Sequence, residues 1–152
     1  MEIQEMRATF GKLQDQTLSL KPGLNCIYAP NESGKSTWSH FLRIMLYGLS
    51  TRERGDLADK NRFAPWSGAA MRGQLQVADG NGTSLTLSRD TRRANAPMGQ
   101  FACTYTGTAT AVPGIDGQNA GETLLGVPRE VFERSAFIRQ SALAVDSDAE
   151  LE

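Results

Sequence analysis

The chain has 152 residues, of which 39% are hydrophobic and 22% charged, the composition of one soluble globular domain with a substantial core. Lys+Arg of 16 against Asp+Glu of 17 give a net charge of −1, so nucleic-acid binding would need a local basic patch. No apolar run approaches the ~18 residues of a membrane span, and Met1 leads into a polar strand instead of a signal peptide, which predicts a cytoplasmic protein with no membrane partner.

Three strands are predicted in the first part of the chain. Met6, Ala8 and Phe10 alternate with polar neighbours within residues 1–13, and residues 16–20 repeat the alternation. A Lys-Pro-Gly turn follows at residues 21–23. The apolar run at residues 24–28 then predicts a third strand. It contains Cys26, which together with Cys103 is expected to be a buried free thiol in a reducing compartment.

A phosphate-loop motif follows the third predicted strand, with the sequence Ala29-Pro30-Asn31-Glu32-Ser33-Gly34-Lys35-Ser36-Thr37. It fits the pattern G-x-x-x-x-G-K-[ST] except at Ala29, and alanine fits there if its φ is negative. Beyond it, five apolar residues at helical spacing predict a helix from Ser36 to Tyr47, which Gly48 ends: Trp38, Phe41, Leu42, Met45 and Leu46. Strand, loop and helix in this order favour nucleotide binding over a chance match.

The motif predicts the residues that bind the nucleotide. Lys35 is expected to reach the β- and γ-phosphates of ATP, and the Ser36 hydroxyl is expected to ligate Mg²⁺. Backbone N–H groups at the helix N-terminus are expected to cradle the phosphates, aided by the helix dipole. The predicted cofactor-binding residues are Pro30, Asn31, Glu32, Ser33, Gly34, Lys35, Ser36 and Thr37.

The stretch from residue 50 to 72 is polar and irregular. It is either a solvated loop or a loop from which one basic residue touches nucleotide or DNA. Trp66 is expected to anchor it to the core. His40 lies off the apolar stripe of the preceding helix, so a solvated or supporting position is expected for it, not a catalytic one.

The sequence after residue 72 has the pattern of β-strands. Residues 73–78 and 83–89 alternate in hydrophobicity around an Asp-Gly-Asn-Gly hairpin turn, and Phe101, Cys103 and Tyr105 alternate in a further strand that turns into residues 108–112. The connections are too short for parallel crossovers, so an antiparallel meander is predicted. The hairpin ends in a basic cluster, Arg89, Arg92 and Arg93, which is either a DNA contact or merely solvated.

The last part of the chain is predicted to be mixed. Residues 122–125 indicate a helical turn, and Pro128 fits the first position of a helix over 129–134. Residues 136–140 indicate a buried strand with Gln140 at its exit. The acidic residues 146–152 are expected to be frayed or to begin a further element.

Three segments together resemble a known family: Arg7-Ala8-Thr9-Phe10-Gly11, the phosphate loop, and Phe137-Ile138-Arg139-Gln140. They are similar to the N-terminal lobe of SMC/SbcC/RecF-type ABC-like ATPase heads. The resemblance is greatest to bacterial YhaN-like proteins, in the sequence Asn-Glu-Ser-Gly-Lys-Ser-Thr of the phosphate loop and in the segment Ala64-Pro65-Trp66-Ser67-Gly68. The resemblance covers essentially the whole chain and implies one α/β domain over 1–152, with a mixed sheet around the phosphate-loop helix plus the meander.

The resemblance also implies function. Gln140 matches the family's Q-loop glutamine, which ligates Mg²⁺ and senses the γ-phosphate, so Lys35 and Gln140 are the implied catalytic residues and Ser36 and Gln140 the implied metal ligands. A neutral amide oxygen suits a hard cation. The implied partners are a C-terminal ATPase lobe, a second head, DNA bound without sequence preference, and a nuclease subunit. DNA repair is the implied setting.

Two family motifs have no match in this sequence, a Walker B strand and a signature Ser-Gly-Gly segment. The nearest approach, Ala142-Leu143-Ala144-Val145-Asp146-Ser147, has two alanines among its apolar residues and no glutamate after Asp146. We therefore expect a fragment that ends where a coiled coil would begin, that self-associates and that turns over ATP poorly.

Two alternatives stay open. A small P-loop kinase would explain the phosphate loop, although such kinases usually alternate strands and helices into a parallel sheet. A non-catalytic module in which ATP joins two heads would explain it equally well.

Overall fold

The computed structural model describes residues 1–136 and residue 138. Within them the chain forms strands and helices whose bounds follow in chain order. The strands are β1 (Glu2–Phe10), β2 (Leu13–Ser19), β3 (Arg72–Ala78), β4 (Ser84–Asp90) and β5 (Gln100–Tyr105), and the helices are α1 (Lys35–Tyr47), α2 (Asp59–Arg62), α3 (Ala120–Leu125) and α4 (Arg129–Ser135).

The five strands form one sheet in the order β2-β1-β3-β4-β5, and every described pairing is antiparallel. This confirms the predicted meander, because a hairpin joins β3 to β4 and the next strand, β5, pairs antiparallel with β4. At the first hairpin the carboxylate Oδ1 of Asp79 accepts hydrogen bonds from the backbone N–H groups of Asn81 and Thr83, at 2.8 and 2.9 Å. The turn sequence thus holds itself together locally, which is why it is predictable.

Helix α1 packs across one face of this sheet. Its residues Phe41 and Met45 are completely buried, as is Leu75 on β3. Gly73 makes the close approach possible, because a Cβ atom there would lie only 2.3 Å from Cε2 of Phe41. The helix begins one residue before the predicted start and ends, as predicted, at the cap residue Gly48, whose N–H donates to the carbonyl of Ile44 at 2.8 Å.

The strand predicted at residues 24–28 is wrong. The segment has no strand pairing, and the side chains of Leu24 and Tyr28 are 94% and 101% exposed. A strand needs a neighbour for its N–H and C=O groups, and the edges of β1 are already taken by β2 and β3. The described residues therefore form an antiparallel sheet, and the mixed sheet around α1 is not observed among them.

Two expectations about single side chains are also wrong, those for Trp66 and Cys26. Trp66 is 76% exposed, and Phe63 is the residue that anchors its loop, 6% exposed and stacked on Phe10 with 4.8 Å between ring centroids. His40 is buried, 8% exposed, with its ring 4.8 Å from that of Phe63, so of the two positions expected for it only the solvated one is wrong. Cys26 is exposed. Cys103 is buried as predicted, and burial raises the pKa of its thiol.

The remaining predictions concern the end of the chain. Residues 108–112 do not form a strand; their one β-bridge joins Ala111 to Thr104 of β5. Pro128 is the extended residue before α4 and not its first helical residue. The predicted strand at 136–140 lies mostly outside the described residues, as does Gln140. Among the residues described, no helix is both long and apolar enough to cross a membrane.

Candidate functional site

The phosphate-loop motif forms an exposed loop that ends at the start of α1. Gly34 precedes the helix with a φ of 95°, a conformation that favours glycine. A Cβ atom at Gly34 would also lie 3.0 Å from Cδ2 of Leu13. Glu32, with a φ of 63°, adopts the same left-handed region without being glycine, so the loop turns sharply just before the helix.

Lys35 is the first residue of α1, and its side chain folds back over the loop. The Nζ ammonium donates hydrogen bonds to the carbonyl oxygens of Ala29 and Pro30, the latter at 2.9 Å. The N–H of Ser33 donates to the same Pro30 carbonyl at 3.3 Å. The loop thus closes on itself around the lysine, and its only cation is aimed at the loop interior.

The first turn of α1 is suited to an anion. Trp38 makes the first helical hydrogen bond, to the carbonyl of Gly34 at 3.1 Å, so the N–H groups of Lys35, Ser36 and Thr37 belong to the unsatisfied helix start. No side-chain cap and no acidic residue is found in this turn. The positive end of the helix dipole is therefore available to phosphate oxygens. The exposed hydroxyl of Ser36 lies beside them and fits a Mg²⁺ ligand.

The turn between β1 and β2 supports the start of the helix, a contact that no sequence signal predicted. A Cβ atom at Gly11 would lie 3.3 Å from Cγ2 of Thr37, so the turn lies directly against the helix. The Gly11 N–H donates to the carbonyl of Phe63 at 2.7 Å, and the Gly11 carbonyl accepts from the N–H of Trp66 at 3.1 Å. Lys12 in the same turn places its ammonium 5.4 Å from the Trp66 ring. An exposed aromatic and a cation thus lie next to the turn that contacts the start of α1.

A buried ion-pair cluster holds α1 from behind, and it too was not predicted. Arg43 is 3% exposed; it pairs with Asp59 and, through Nη1 at 3.1 Å, with Glu133. Arg129 also pairs with Glu133, at 3.0 Å. Burial raises the pKa of Glu133, but the hydrogen bonds and charges of the two arginines outweigh it and leave the pKa below its usual value. The cluster ties α1 to α2 and α4.

The basic cluster proposed at the end of β4 does not form one surface. Arg89 is 3% exposed and donates from Nε to the carbonyl of Met45 at 3.0 Å, at the C-terminal end of α1. Burial lowers the pKa of Arg89 to about 10, so it is still charged at neutral pH. Arg92 and Arg93 are exposed. Arg89 therefore makes interior contacts instead of offering an outward DNA contact.

Residues Pro30 to Thr37 run from the exposed loop into the start of α1, and their role in binding stays a prediction. Gln140 lies outside the described residues, so its placement beside Ser36 stays a prediction. Among residues 1–136 and 138, no group of three or more His, Cys, Asp or Glu side chains could hold a metal ion. A Mg²⁺ ion at the loop would rest on Ser36, on the nucleotide and on water, the arrangement usual for this ion.

Comparison with known families gives one match. The family described as the AAA domain matches residues 3–144, which is most of the chain and includes the phosphate loop and Gln140. A search of curated proteins found no significant match.

Proposed function

The chain belongs to the AAA domain family of ATPase-type nucleotide-binding domains, and on that premise we propose that its phosphate loop binds Mg²⁺-ATP. In this proposal Lys35 contacts the β- and γ-phosphates, Ser36 ligates Mg²⁺, and the backbone from Pro30 to Thr37 surrounds the phosphates. ATP would supply the phosphoanhydride bond whose hydrolysis drives such domains. The chain's own residues bind, orient and neutralise the phosphates.

One observation carries the proposal. The Lys35 ammonium lies across the loop, on the carbonyls of Ala29 and Pro30, at a helix start that has neither an acidic residue nor a side-chain cap. A cation and several N–H donors that converge on a loop interior fit a multiply charged phosphate chain. Phosphate oxygens would replace the two carbonyls as acceptors for Nζ.

Calorimetry of Mg²⁺-ATP binding tests this. Lys35→Ala should weaken binding by about tenfold to a hundredfold, because a hydrogen bond to a charged group contributes about 1.5–3 kcal/mol. Lys21→Ala is the matched control, since Lys21 is exposed, lies outside the loop and should leave the affinity unchanged. Equal affinity of the wild type and Lys35→Ala would contradict the proposal.

We further propose that this chain is the N-terminal half of an ABC-like ATPase head of the SMC/SbcC type. Hydrolysis would then need a C-terminal lobe and a second head, with Gln140 as Mg²⁺ ligand and γ-phosphate sensor. The exposed side chains of Leu24 and Tyr28 support this, because an apolar run beside the phosphate loop is left without a packing surface. A lobe that adds a strand there would cover it.

Turnover distinguishes this proposal from a self-sufficient ATPase or kinase. The chain alone should bind ATP and release phosphate slowly, because much of the transition-state stabilisation would come from the absent parts. Phosphate release at about 1–10³ s⁻¹, the ordinary range for enzymes, and its loss in Lys35→Ala, would overturn the need for a lobe. Phosphate transfer to a small acceptor would favour the kinase, against which the antiparallel sheet already argues.

A second candidate function is ATP-dependent assembly without hydrolysis, and the same exposed apolar run favours it. Light scattering of the chain with and without Mg²⁺-ATP measures it. Self-association that depends on Leu24 and Tyr28 but not on ATP would indicate an uncovered packing surface. Association that requires ATP and is lost in Lys35→Ala would support nucleotide-driven pairing of heads.

DNA, and with it a role in repair and a nuclease partner, belongs to the proposal as well. Any contact would be directed at the DNA backbone and should weaken steeply with salt. Because Arg89 is buried, the candidates at the end of β4 reduce to Arg92 and Arg93. Anisotropy of labelled duplexes, with the double variant Arg92→Gln/Arg93→Gln, measures their contribution; a salt-independent signal would contradict backbone binding.

A further inference from the structure

Arg89 is a buried cation whose interior contacts include no carboxylate among the described residues. Its Nε donates to the carbonyl of Met45 at 3.0 Å and its Nη2 to that of Gly117 at 2.7 Å, and the guanidinium lies 4.7 Å from the centre of the Phe101 ring. Carbonyls and a ring face stabilise the charge only partly. A guanidinium carries five N–H donors, and these contacts use two of them.

The part of the Arg89 guanidinium that makes none of these contacts borders a cleft. The cleft has a volume of about 1250 Å³ and is bounded by the end of α1, by β5 and by the loop that follows β5. Nη1 has no hydrogen-bond partner among the described residues, although only 3% of the residue is exposed. Two glycines lie close to this nitrogen, since Cβ atoms at Gly48 and Gly117 would be at ordinary contact distance, 3.7 and 3.5 Å from it.

The charge of the cleft favours an anion. Its described lining contains three arginines, Arg52, Arg89 and Arg129, the last of which pairs with Glu133, against one acidic residue, Asp116. Asp116 is engaged, since its Oδ1 accepts hydrogen bonds from the N–H groups of Gln118 and Asn119, which lower its pKa. A neighbouring depression shares Arg52, adds two more cations, and has no acidic residue in its described lining. Cations thus line both the cleft and the depression beside it.

We propose that this cleft is a second ligand site, which binds a small organic anion through a phosphate or carboxylate group placed on the free side of Arg89. It lies at the opposite end of α1 from Lys35, about 20 Å away along a helix of 13 residues. It is therefore separate from the nucleotide site and does not depend on it.

The chemistry of the group follows from the donors. A guanidinium binds the two oxygens of a carboxylate or phosphate side by side, and burial of the cation strengthens such contacts because water does not compete for them. The cleft is larger than a bare anion needs, and apolar side chains line the wall beside Arg89, among them Phe101 and Ile115. The ligand therefore pairs one anionic group with an apolar body.

Arginine side-chain NMR of the whole chain tests the site, with inorganic phosphate and acetate as probes and chloride at equal ionic strength as reference. We expect both anions to shift the Arg89 resonances, with a Kd on the order of 1 mM. If phosphate esters are the ligands, phosphate should have a lower Kd than acetate. The reverse order would assign the site to carboxylates. No shift of Arg89 with either probe up to about 50 mM would overturn the proposal, since millimolar binding would saturate there.

Variants separate the cleft from the phosphate loop. Arg89→Lys should weaken binding by about tenfold or more, because an ammonium cannot bind two oxygens side by side. If Arg89→Lys does not fold, a variant at the rim of the cleft decides: Arg52→Gln should weaken binding by about twofold, as expected for one exposed charge. Arg72→Gln, an arginine with a 61% exposed side chain outside the cleft, is the matched control.

The two sites can fail independently. Lys35→Ala should weaken Mg²⁺-ATP binding and leave the Arg89 response to phosphate intact, whereas the rim variant should weaken the Arg89 response and leave Mg²⁺-ATP binding intact. A response that Lys35→Ala abolishes would mean that the phosphate is bound at the loop, and it would overturn the cleft.

Discussion

Two segments of similar apolar character differ in this molecule: one is unpaired and exposed, and the other is a paired, buried strand. Residues 24–28 stand before α1 without a partner, whereas β3, residues 72–78, is paired on both edges, with β1 and with β4. Leu24 is 94% exposed, while Leu75 in β3 is fully buried. An apolar run becomes a strand only when a neighbour accepts its hydrogen bonds and a surface covers its side chains.

The difference lies in how the neighbours are supplied. A tight hairpin joins β3 to β4, so its partner arrives at little cost in loop entropy. For residues 24–28 the described chain provides no free neighbouring edge at the right place, and the segment stays exposed beside the phosphate loop. The site is thus built on one firmly packed side, the sheet and α1, and one open side.

Amide hydrogen exchange should show the largest contrast. No residue of 24–28 donates a backbone hydrogen bond to another described residue, so these amides should exchange at least about 10³ times faster than those of β3, which open only with global unfolding. Thiol labelling is a second readout, because exposed Cys26 should react at once and buried Cys103 only on unfolding. Slow exchange at 24–28 would mean that the segment is paired.

Truncation of one leucine in each segment should differ nearly as much. Leu75→Ala should lower the free energy of unfolding by about 2–5 kcal/mol, because it leaves a cavity under α1. Leu24→Ala is the matched control and should change it by less than about 0.5 kcal/mol. Urea denaturation measures both. A costly Leu24→Ala would show that the side chain is buried, for example between two copies of the chain.

Adding a methyl group sharpens the contrast on the packed side. Gly73→Ala would place Cβ 2.3 Å from Cε2 of Phe41, so we expect a loss of about 1–3 kcal/mol by thermal denaturation. Gly80→Ala, at the hairpin turn, meets no atom within 4 Å and should be close to neutral. A neutral Gly73→Ala would mean that α1 packs less closely on β3 than described.

The smallest expected effect concerns the cluster behind α1. Glu133→Gln should cost about 1 kcal/mol, or about 2–4 °C in Tm, at pH 7. Since the arginines hold the folded pKa of Glu133 below 4.5, this contribution is complete above about pH 4.5 and is lost as the pH falls through the folded value. The Tm difference between the wild type and Glu133→Gln should therefore shrink as the pH falls through the folded pKa of Glu133. Glu2→Gln, at an exposed position on β1, is the matched control.

Features that depend on neighbouring residues in the chain were predictable. The helix from Lys35 to Tyr47 follows from apolar spacing and a glycine stop, and the hairpin follows from an Asp-Gly turn that bonds to itself. The meander follows from connection length. The candidate phosphate site was equally readable, because the loop and the helix start are contiguous in sequence.

Features that depend on distant contacts were not. Trp66 and Phe63 stand three residues apart in one loop, and only the position of Phe10 decides which of them is buried. The same holds for Arg89. Its basic neighbours suggested a surface cluster, but its side chain is buried and donates to the carbonyl of Met45 at the end of α1. No local pattern distinguishes these outcomes.

The sequence by itself determined that this chain has a phosphate-loop motif at the start of an amphipathic helix, because both consist of consecutive residues. The tertiary structure alone decided that residues 24–28 are an open flank of that loop and that the far end of the helix meets a buried arginine. Both outcomes depend on which edges and carbonyls the rest of the fold has already used.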